Sequence, residues 1–277
     1  MRTLVHLSDL HFGRVDDVLV DPLIKLVAQI KPDVVVVSGD LTQRARSEQF
    51  REARQFLDAL PSPQIIVPGN HDVPLHNMVT RFFRPLEKYQ RYITHDLEPF
   101  YADEEIAVLG INSARSLTFK NGRVNESQIA RVQARLATLD AHIVKVIVTH
   151  HPFDLPADYA DTEIIGRAPM AMKMFARYGA DMLLAGHLHV SHAGSTAARY
   201  AISGYAALVV QAGTATSTRS RGESNSFNVI KINSPHISIQ RFTWMPGKSA
   251  FMALNTESFC RTIKGWSRVP EISGSNA

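Results

Sequence analysis

Five short clusters of metal-ligating residue types recur along the chain, each set directly after an apolar run. Asp9-Leu10-His11 follows Leu4 to Leu7, Gly39-Asp40 follows Val34 to Val37, and Gly69-Asn70-His71-Asp72 follows Ile65 to Val67. Further on, Thr149-His150-His151 follows Val144 to Val148, and Gly186-His187-Leu188-His189 follows Leu183-Leu184. Carboxylate and imidazole side chains suit borderline divalent metals such as zinc, manganese and iron. Alternate residues of an extended segment share a face, so both members of Asp9-x-His11 and of His187-x-His189 can reach one ion. A lone histidine is more often a hydrogen-bonded structural residue, but that reading fails for a set of five clusters at five run ends. The seven strongest candidates are Asp9, His11, Asp40, Asn70, His150, His187 and His189, more than one tetrahedral site can use. Two ions are therefore expected, and a pair about 3.5–4 Å apart can polarise a phosphoryl oxygen, activate a bridging water and steady an in-line displacement. That chemistry is phosphoester hydrolysis.

The elements that must position these groups read as alternating strands and helices. Val34 to Val37, bounded by Pro32 and Gly39, has the pattern of a strand buried on both faces. Gly39 lets the backbone turn without a Cβ clash, and Asp40 then leaves at the carboxyl edge of a sheet, where ligands gather in layered α/β proteins. Asp21-Pro22 reads as a helix start, Ser47 as the cap of a second helix, and Asn125 with Gln128 as a capping-box variant. Pro169 to Tyr178, ended by Gly179, is a fourth helix. From about Ala206 onward, strand-like segments follow one another without helices, which predicts an antiparallel second sheet. The fold class is therefore α/β, a two-sheet sandwich flanked by helices.

The 277 residues, with an apolar fraction of 45%, suit one globular domain over 1–266 and a flexible tail over 267–277. Phe82, Phe83, Leu86, Tyr89 and Tyr92 among Arg81, Arg84, Lys88 and Arg91 mark a small helical insertion at 73–103, broken at Pro85. It reads as helices packed on the body in preference to a substrate lid. One cysteine, Cys260, excludes an internal disulfide and disfavours a cysteine-based zinc site. No stretch approaches the roughly 20 apolar residues of a membrane span, and the N-terminal apolar run is too short for a signal peptide, so a cytoplasmic protein without a transmembrane segment is expected. A net charge of +4 is mild, and without a dense basic stripe no obligate nucleic-acid partner is expected. A homo-oligomer is compatible with the sequence.

Taken in order, Asp9-x-His11, Gly39-Asp40, Gly69-Asn70-His71, His150 and Gly186-His187-x-His189 resemble the motifs of the calcineurin-like metallophosphoesterase superfamily. The resemblance spans roughly residues 3 to 190 and implies a four-layer αββα fold. It implies that Asp9, His11, Asp40 and His189 hold one metal, that Asp40, Asn70, His150 and His187 hold the other, and that Asp40 bridges them. It further implies that His71 contacts the phosphate and protonates the leaving oxygen, a role open to an imidazole whose pKa lies near working pH. Asp9-Leu10-His11-Phe12-Gly13 and Gly-His-Leu-His look like the bacterial branch of class III cyclic-nucleotide and glycerophosphodiester phosphodiesterases. The implied activity is a dinuclear metal-dependent phosphodiesterase, using a metal-bridging hydroxide, with two divalent ions (Mn, Fe or Zn) and a small phosphodiester as substrate. A pyrophosphatase of UDP-sugar lipid precursors, its acyl chains covered by Phe82, Phe83 and Tyr89, and a nuclease are the alternative enzymes. A non-enzymatic scaffold of the same fold is disfavoured because all seven ligands are kept. Asp72 reads either as an orienting partner of His71 or as a helix cap, and His151 is expected to point away from His150. Asn112, Arg115, Asp154 and Arg219 lie in loops that could face a phosphate. The remaining histidines, His6, His76, His95, His142, His192 and His236, match no motif and are read as structural.

Overall fold

Two apolar strands and one amphipathic helix begin the chain: β1 (Arg2–Leu7), α1 (Asp17–Ile30) and β2 (Val34–Val37). The computed structural model describes residues 1–75, 78–115, 121–156, 159, 161–219 and 222–270, so His76 and residues 271–277 lie outside the described residues. Every residue of β2 is buried, as branched side chains on a two-faced strand require. Asp16, not Asp21, caps α1, its carboxylate accepting from the Val18 amide at 3.3 Å, and Pro22 lies inside the helix. A second helix, α2 (Ser47–Asp58), leads to β3 (Gln64–Ile66). Ser47 is its first residue and not its cap; the Gln49 side-chain oxygen instead accepts from the Arg44 and Arg46 amides at 2.9 and 3.4 Å.

Two short helices, α3 (Met78–Phe83) and α4 (Glu87–Tyr92), occupy the expected insertion. The second packs on the body: Lys88 Nζ donates to the Ala45 carbonyl at 3.0 Å and the buried Tyr89 hydroxyl to the Ile66 carbonyl at 3.0 Å. The strand β4 (Phe100–Ala102) ends this segment by pairing antiparallel with β5 (Ile106–Gly110), so its last residues belong to a sheet and not to a helical cap. Then come α5 (Glu126–Leu136), β6 (Val144–Val148), α6 (Ala168–Tyr178), β7 (Met182–Ala185), β8 (His192–Ser195) and β9 (Leu208–Gln211). The capping box on α5 forms as expected, with Gln128 N–H donating to Asn125 Oδ1 at 2.8 Å and Asn125 N–H to Gln128 Oε1 at 3.1 Å. The chain finishes with β10 (Ser226–Asn233), β11 (His236–Met245), β12 (Ala250–Thr262) and β13 (Gly265–Arg268). The tail expected from residue 267 is thus strand as far as Arg268.

The strands form two sheets, in the orders β13-β12-β11-β10-β1-β2-β3 and β4-β5-β6-β7-β9-β8. The late antiparallel strands do not make a sheet of their own. β10 pairs antiparallel with β1, so β10 to β13 extend the first sheet, while β9 runs parallel to β7 in the second. Side-chain alternation explains the layering. Val34 and Val36 face Val108, Val146 and Leu184 between the sheets, whereas Val35 and Val37 face Leu19, Leu23 and Phe50 of α1 and α2. On the far side, Leu109, Ile147 and Leu183 meet Val132 of α5 and Phe175 of α6. Each such fully buried side chain contributes roughly 1.5–3 kcal/mol, and the result is a four-layer α/β/β/α sandwich. Among the described residues no helix is long and apolar enough to cross a membrane.

Candidate metal centre

Parallel register brings the polar clusters to one rim. Leu7 is level with Val37 and Val37 with Ile66 in the first sheet, and Val148 is level with Leu184 in the second. The residues that follow these positions therefore emerge at the same end of the sandwich. They do so in turns, not as continued strand: Asp9, His11, Asp40, His187 and His189 all have positive φ, between 52° and 73°. Left-handed backbone costs a non-glycine residue of order 1 kcal/mol or more, and five of the seven expected ligands carry it, so the rim is a strained surface. The extended geometry expected for the Asp-x-His and His-x-His pairs is thus replaced by tight turns. Two glycines make the close approaches that these turns need. At Gly39, whose φ is +94°, a Cβ would lie 2.6 Å from His150 Nδ1, and at Gly69 one would lie 2.1 Å from Asp40 Oδ1.

Asp9, His11 and His189 form one donor group. The Nε2 atoms of His11 and His189 lie 3.6 and 3.4 Å from Asp9 Oδ1, and 3.4 Å from each other. Asp9 Oδ2 accepts from Ser8 Oγ at 2.7 Å and from the His187 amide at 3.0 Å. Asp9 Oδ1, in contrast, is buried without a hydrogen-bond partner. An orphaned carboxylate oxygen facing two imidazole nitrogens is costly unless a cation sits among them, so these residues fit a divalent ion. The Thr214 hydroxyl holds His189 Nδ1 at 2.7 Å, which leaves Nε2 turned to the site.

Asn70, His150 and His187 form the other group. Asn70 Oδ1 lies 3.1 Å from both His150 Nε2 and His187 Nδ1. His150 donates its Nδ1–H to the Ser38 carbonyl at 2.8 Å, which leaves Nε2 as the nitrogen that would face a cation. Asp40 Oδ2 sits between the groups, 3.4 Å from His150 Nε2 and 3.7 Å from His11 Nε2, while Asp40 Oδ1 accepts from the His71 amide at 2.8 Å. His187 and His189 therefore lie in different groups and not in the shared one that their spacing alone would allow. The turn at Leu188 sends their side chains apart.

Charge in the rim is tightly balanced. Burial alone would raise the Asp40 carboxyl, but His150, His71 and His11 outweigh it and hold the group well below the usual carboxylate range. Asp9 behaves likewise: burial opposes ionisation, and His189, His11 and His150 overcome it. In return Asp40 overrides the desolvation of His150 and lifts it to about 9, whereas burial and the neighbouring His150 push His187 down to about 4. The rim thus sets ionised Asp9 and Asp40 against a protonated His150, whose Nε2 proton a cation would displace on binding.

His71 stands edge-on to His11 with ring centroids 5.0 Å apart. Its Nδ1 donates to the Gln43 carbonyl at 2.9 Å, and Nε2 meets Arg219 Nη1 at 2.8 Å. Asp72 does not orient the His71 ring; it closes the capping box of the short 3-10 turn Asn70–Asp72 that contains it and is not the cap of a later helix. Its carboxylate accepts from the Gly69, Leu41 and Thr42 amides at 2.9, 3.1 and 2.9 Å and from Thr42 Oγ1 at 2.9 Å, clasping the second and third motif turns together. Burial and then Asp40 raise its pKa to about 6. His151 does not point away: its ring centroid is 4.6 Å from that of His187, and its Nδ1 lies 2.9 Å from Ser113 Oγ. Of the loop residues, Asp154 pairs with Arg199 at 2.6 Å, Asn112 closes a turn onto the Ala114 amide at 2.9 Å, and Arg115 bonds Gln128. Among the described residues, Arg219 is the member of that set that touches a site residue directly. Glu163 Oε2, 3.4 Å from His187 Nε2, and Thr214 carry no motif that sequence reasoning could have used.

Residues 2–191 match the model of the calcineurin-like phosphoesterase family. Over 163 residues the chain is 29% identical to the glycerophosphodiester phosphodiesterase GpdQ of Enterobacter lignolyticus, covering 55% of this chain and 58% of that protein. It is 28% identical over 162 residues to a probable cyclic nucleotide phosphodiesterase, RPA0124, of Rhodopseudomonas palustris, covering 57% and 58% respectively. The chain thus spans little more than half the length of these curated relatives. Among solved structures, the purple acid phosphatase PPD1 from yellow lupin (Lupinus luteus) seeds aligns with a TM-score of 0.72 at 10% identity, over 99% of this chain and 57% of that one. That likeness is one of fold.

Proposed function

The chain belongs to the calcineurin-like phosphoesterase family, and from that premise we propose that it hydrolyses a small phosphodiester at a centre built for two divalent cations. Asp9, His11, Asp40 and His189 hold one cation, and Asp40, Asn70, His150 and His187 hold the other. When bound, the pair supplies Lewis-acid activation of a water and of the phosphoryl group. Asp40, whose Oδ2 lies between the two groups, would serve both positions, and its other oxygen anchors the backbone of the turn that carries His71. With Nδ1–H tied to the Gln43 carbonyl, His71 turns Nε2, the atom that in the imidazolium form would hand a proton to the departing oxygen, toward Arg219. Ser38 and Thr214 set which ring nitrogens of His150 and His189 would face a cation.

The observation that carries this reading is the pair of donor groups meeting at Asp40, with Asp9 Oδ1 buried and unpartnered beside them. The preference for a diester rests on the two relatives, one a glycerophosphodiester phosphodiesterase and one a probable cyclic nucleotide phosphodiesterase. The test is to load purified protein with manganese, iron or zinc and compare bis(p-nitrophenyl) phosphate, cyclic AMP, a glycerophosphodiester, a UDP-sugar lipid and single-stranded DNA under identical conditions. Hydrolysis of the small diesters ahead of the rest is expected. Preferred turnover of the UDP-sugar lipid or of DNA would overturn the substrate class, and no hydrolysis of any ester by metal-loaded protein would overturn the activity.

A further inference from the structure

Arg219 is held where no structural need explains it. Its own amide donates to Ser217 Oγ at 3.1 Å, and Ser217 is pinned in turn by Asn225 Nδ2 on its carbonyl at 2.8 Å and by a bridge to Val15. The flanking Thr218 amide donates to the Arg14 carbonyl at 3.0 Å, and Thr216 Oγ1 to the Leu10 carbonyl at 2.9 Å. The backbone that carries Arg219 is thereby locked onto the turn that carries His11. From this base the half-buried guanidinium reaches His71 Nε2 at 2.8 Å, and among the described residues no carboxylate lies within ion-pair distance of it.

Chemistry sets the direction of that contact. A guanidinium has no lone pair to offer, so Nε2 accepts and Arg219 occupies the point from which His71 would reach a leaving oxygen. A cation anchored beside a centre built for two dications is stable there only while its donors have an acceptor. Planar guanidinium donors pair with carboxylate or phosphoryl oxygens, and a phosphoryl oxygen is the acceptor that the substrate of this centre would bring. We propose that Arg219 binds a non-bridging phosphoryl oxygen of the substrate, and that its move from His71 to the phosphoryl group frees Nε2 at the moment the substrate arrives. This rests on the hydrolase reading above and deepens it, because it makes an anionic phosphoryl group the key that releases His71.

The test uses the full chain loaded with manganese and the variants Arg219→Gln, Arg219→Lys, His71→Ala and the Arg219→Gln/His71→Ala pair. Metal content is measured first, inorganic phosphate binding is followed by titration calorimetry, and bis(p-nitrophenyl) phosphate supplies kcat/KM. Arg219→Gln is expected to keep both metals, to weaken phosphate binding by about 10-fold or more, and to lower kcat/KM by about 30- to 300-fold, as loss of a charge-assisted contact does. Its loss of phosphate affinity should persist in the His71→Ala background, and Arg219→Lys should recover part of it. Unchanged phosphate affinity in Arg219→Gln overturns the proposal. So does an Arg219→Gln effect that disappears once His71 is alanine, since Arg219 would then act only by positioning that ring. Phosphate titration does not depend on turnover, so wild-type protein that binds metal but hydrolyses nothing would sink the hydrolase reading while the role of Arg219 is still decided.

Discussion

Asp40→Asn is the sharpest single perturbation of the centre. The amide is isosteric, and its oxygen can keep the 2.8 Å bond from the His71 amide. Its NH2 group replaces Oδ2, the atom between His150 Nε2 at 3.4 Å and His11 Nε2 at 3.7 Å, and an NH2 group cannot ligate a cation. Each proposed ion thus loses one of four protein ligands. A fully protein-held divalent ion is bound by roughly 10–16 kcal/mol, so one ligand in four carries roughly 2.5–4 kcal/mol. The predicted loss is about 10²- to 10³-fold in affinity at both positions together. Competitive titration of metal-stripped protein with manganese or zinc, followed by metal analysis after desalting, measures it. Asn70→Ala is the control: it removes a neutral donor from one group only, so a single binding step should weaken. A full metal complement in Asp40→Asn with near-wild-type affinity, or the loss of only one step, would refute the shared-carboxylate reasoning.

Other perturbations probe the neighbours of that carboxylate. His71→Ala should leave metal content intact and lower kcat by about 10²- to 10⁴-fold, most severely for poor leaving groups; across a series of aryl diesters, a uniform loss would argue for a binding role. Gly69→Ala would place a methyl 2.1 Å from Asp40 Oδ1 and 2.3 Å from its backbone nitrogen, so either the turn or the carboxylate must shift, and both thermal stability and metal affinity should fall; unchanged values in calorimetry would contradict the packing. His6 is fully buried, with Nδ1 unpartnered, and burial lowers its pKa to about 3. The unfolded chain binds that proton near 6.5, so the stability it contributes is complete above pH 6.5 and lost as pH falls towards 3. At pH 4.5 the loss is about 2–3 kcal/mol. Urea unfolding of metal-stripped protein at pH 7.5 and 4.5 should show it, and His6→Gln should remove that part of the slope; identical slopes would falsify the assignment.

Much of the centre was legible in the chain because ligand chemistry is a property of residue type, and strand ends are marked by local pattern. Asp9, His11, Asp40, Asn70, His150, His187 and His189 each follow an apolar run, and the parallel register carries them to one rim. The Asn125–Gln128 cap and the Gly179 stop were equally local, and both stand in the structure. What the chain did not reveal depends on contacts across large sequence separations. A strand pattern in β10 says that it will pair but not with which partner, and the choice of β1 over a separate sheet came from packing of both faces. The turns with positive φ at Asp9 and His11 arise because that backbone docks onto Gly39, Asp40 and Leu41, so spacing alone predicted extended geometry. Arg219 reaches His71 across 148 positions, and Thr214 reaches His189 from a loop without a motif. Residue identity determined which chemistry was available; only the closing of two sheets on each other decided which nitrogen faces which oxygen, because that selection is made by burial and not by sequence neighbours.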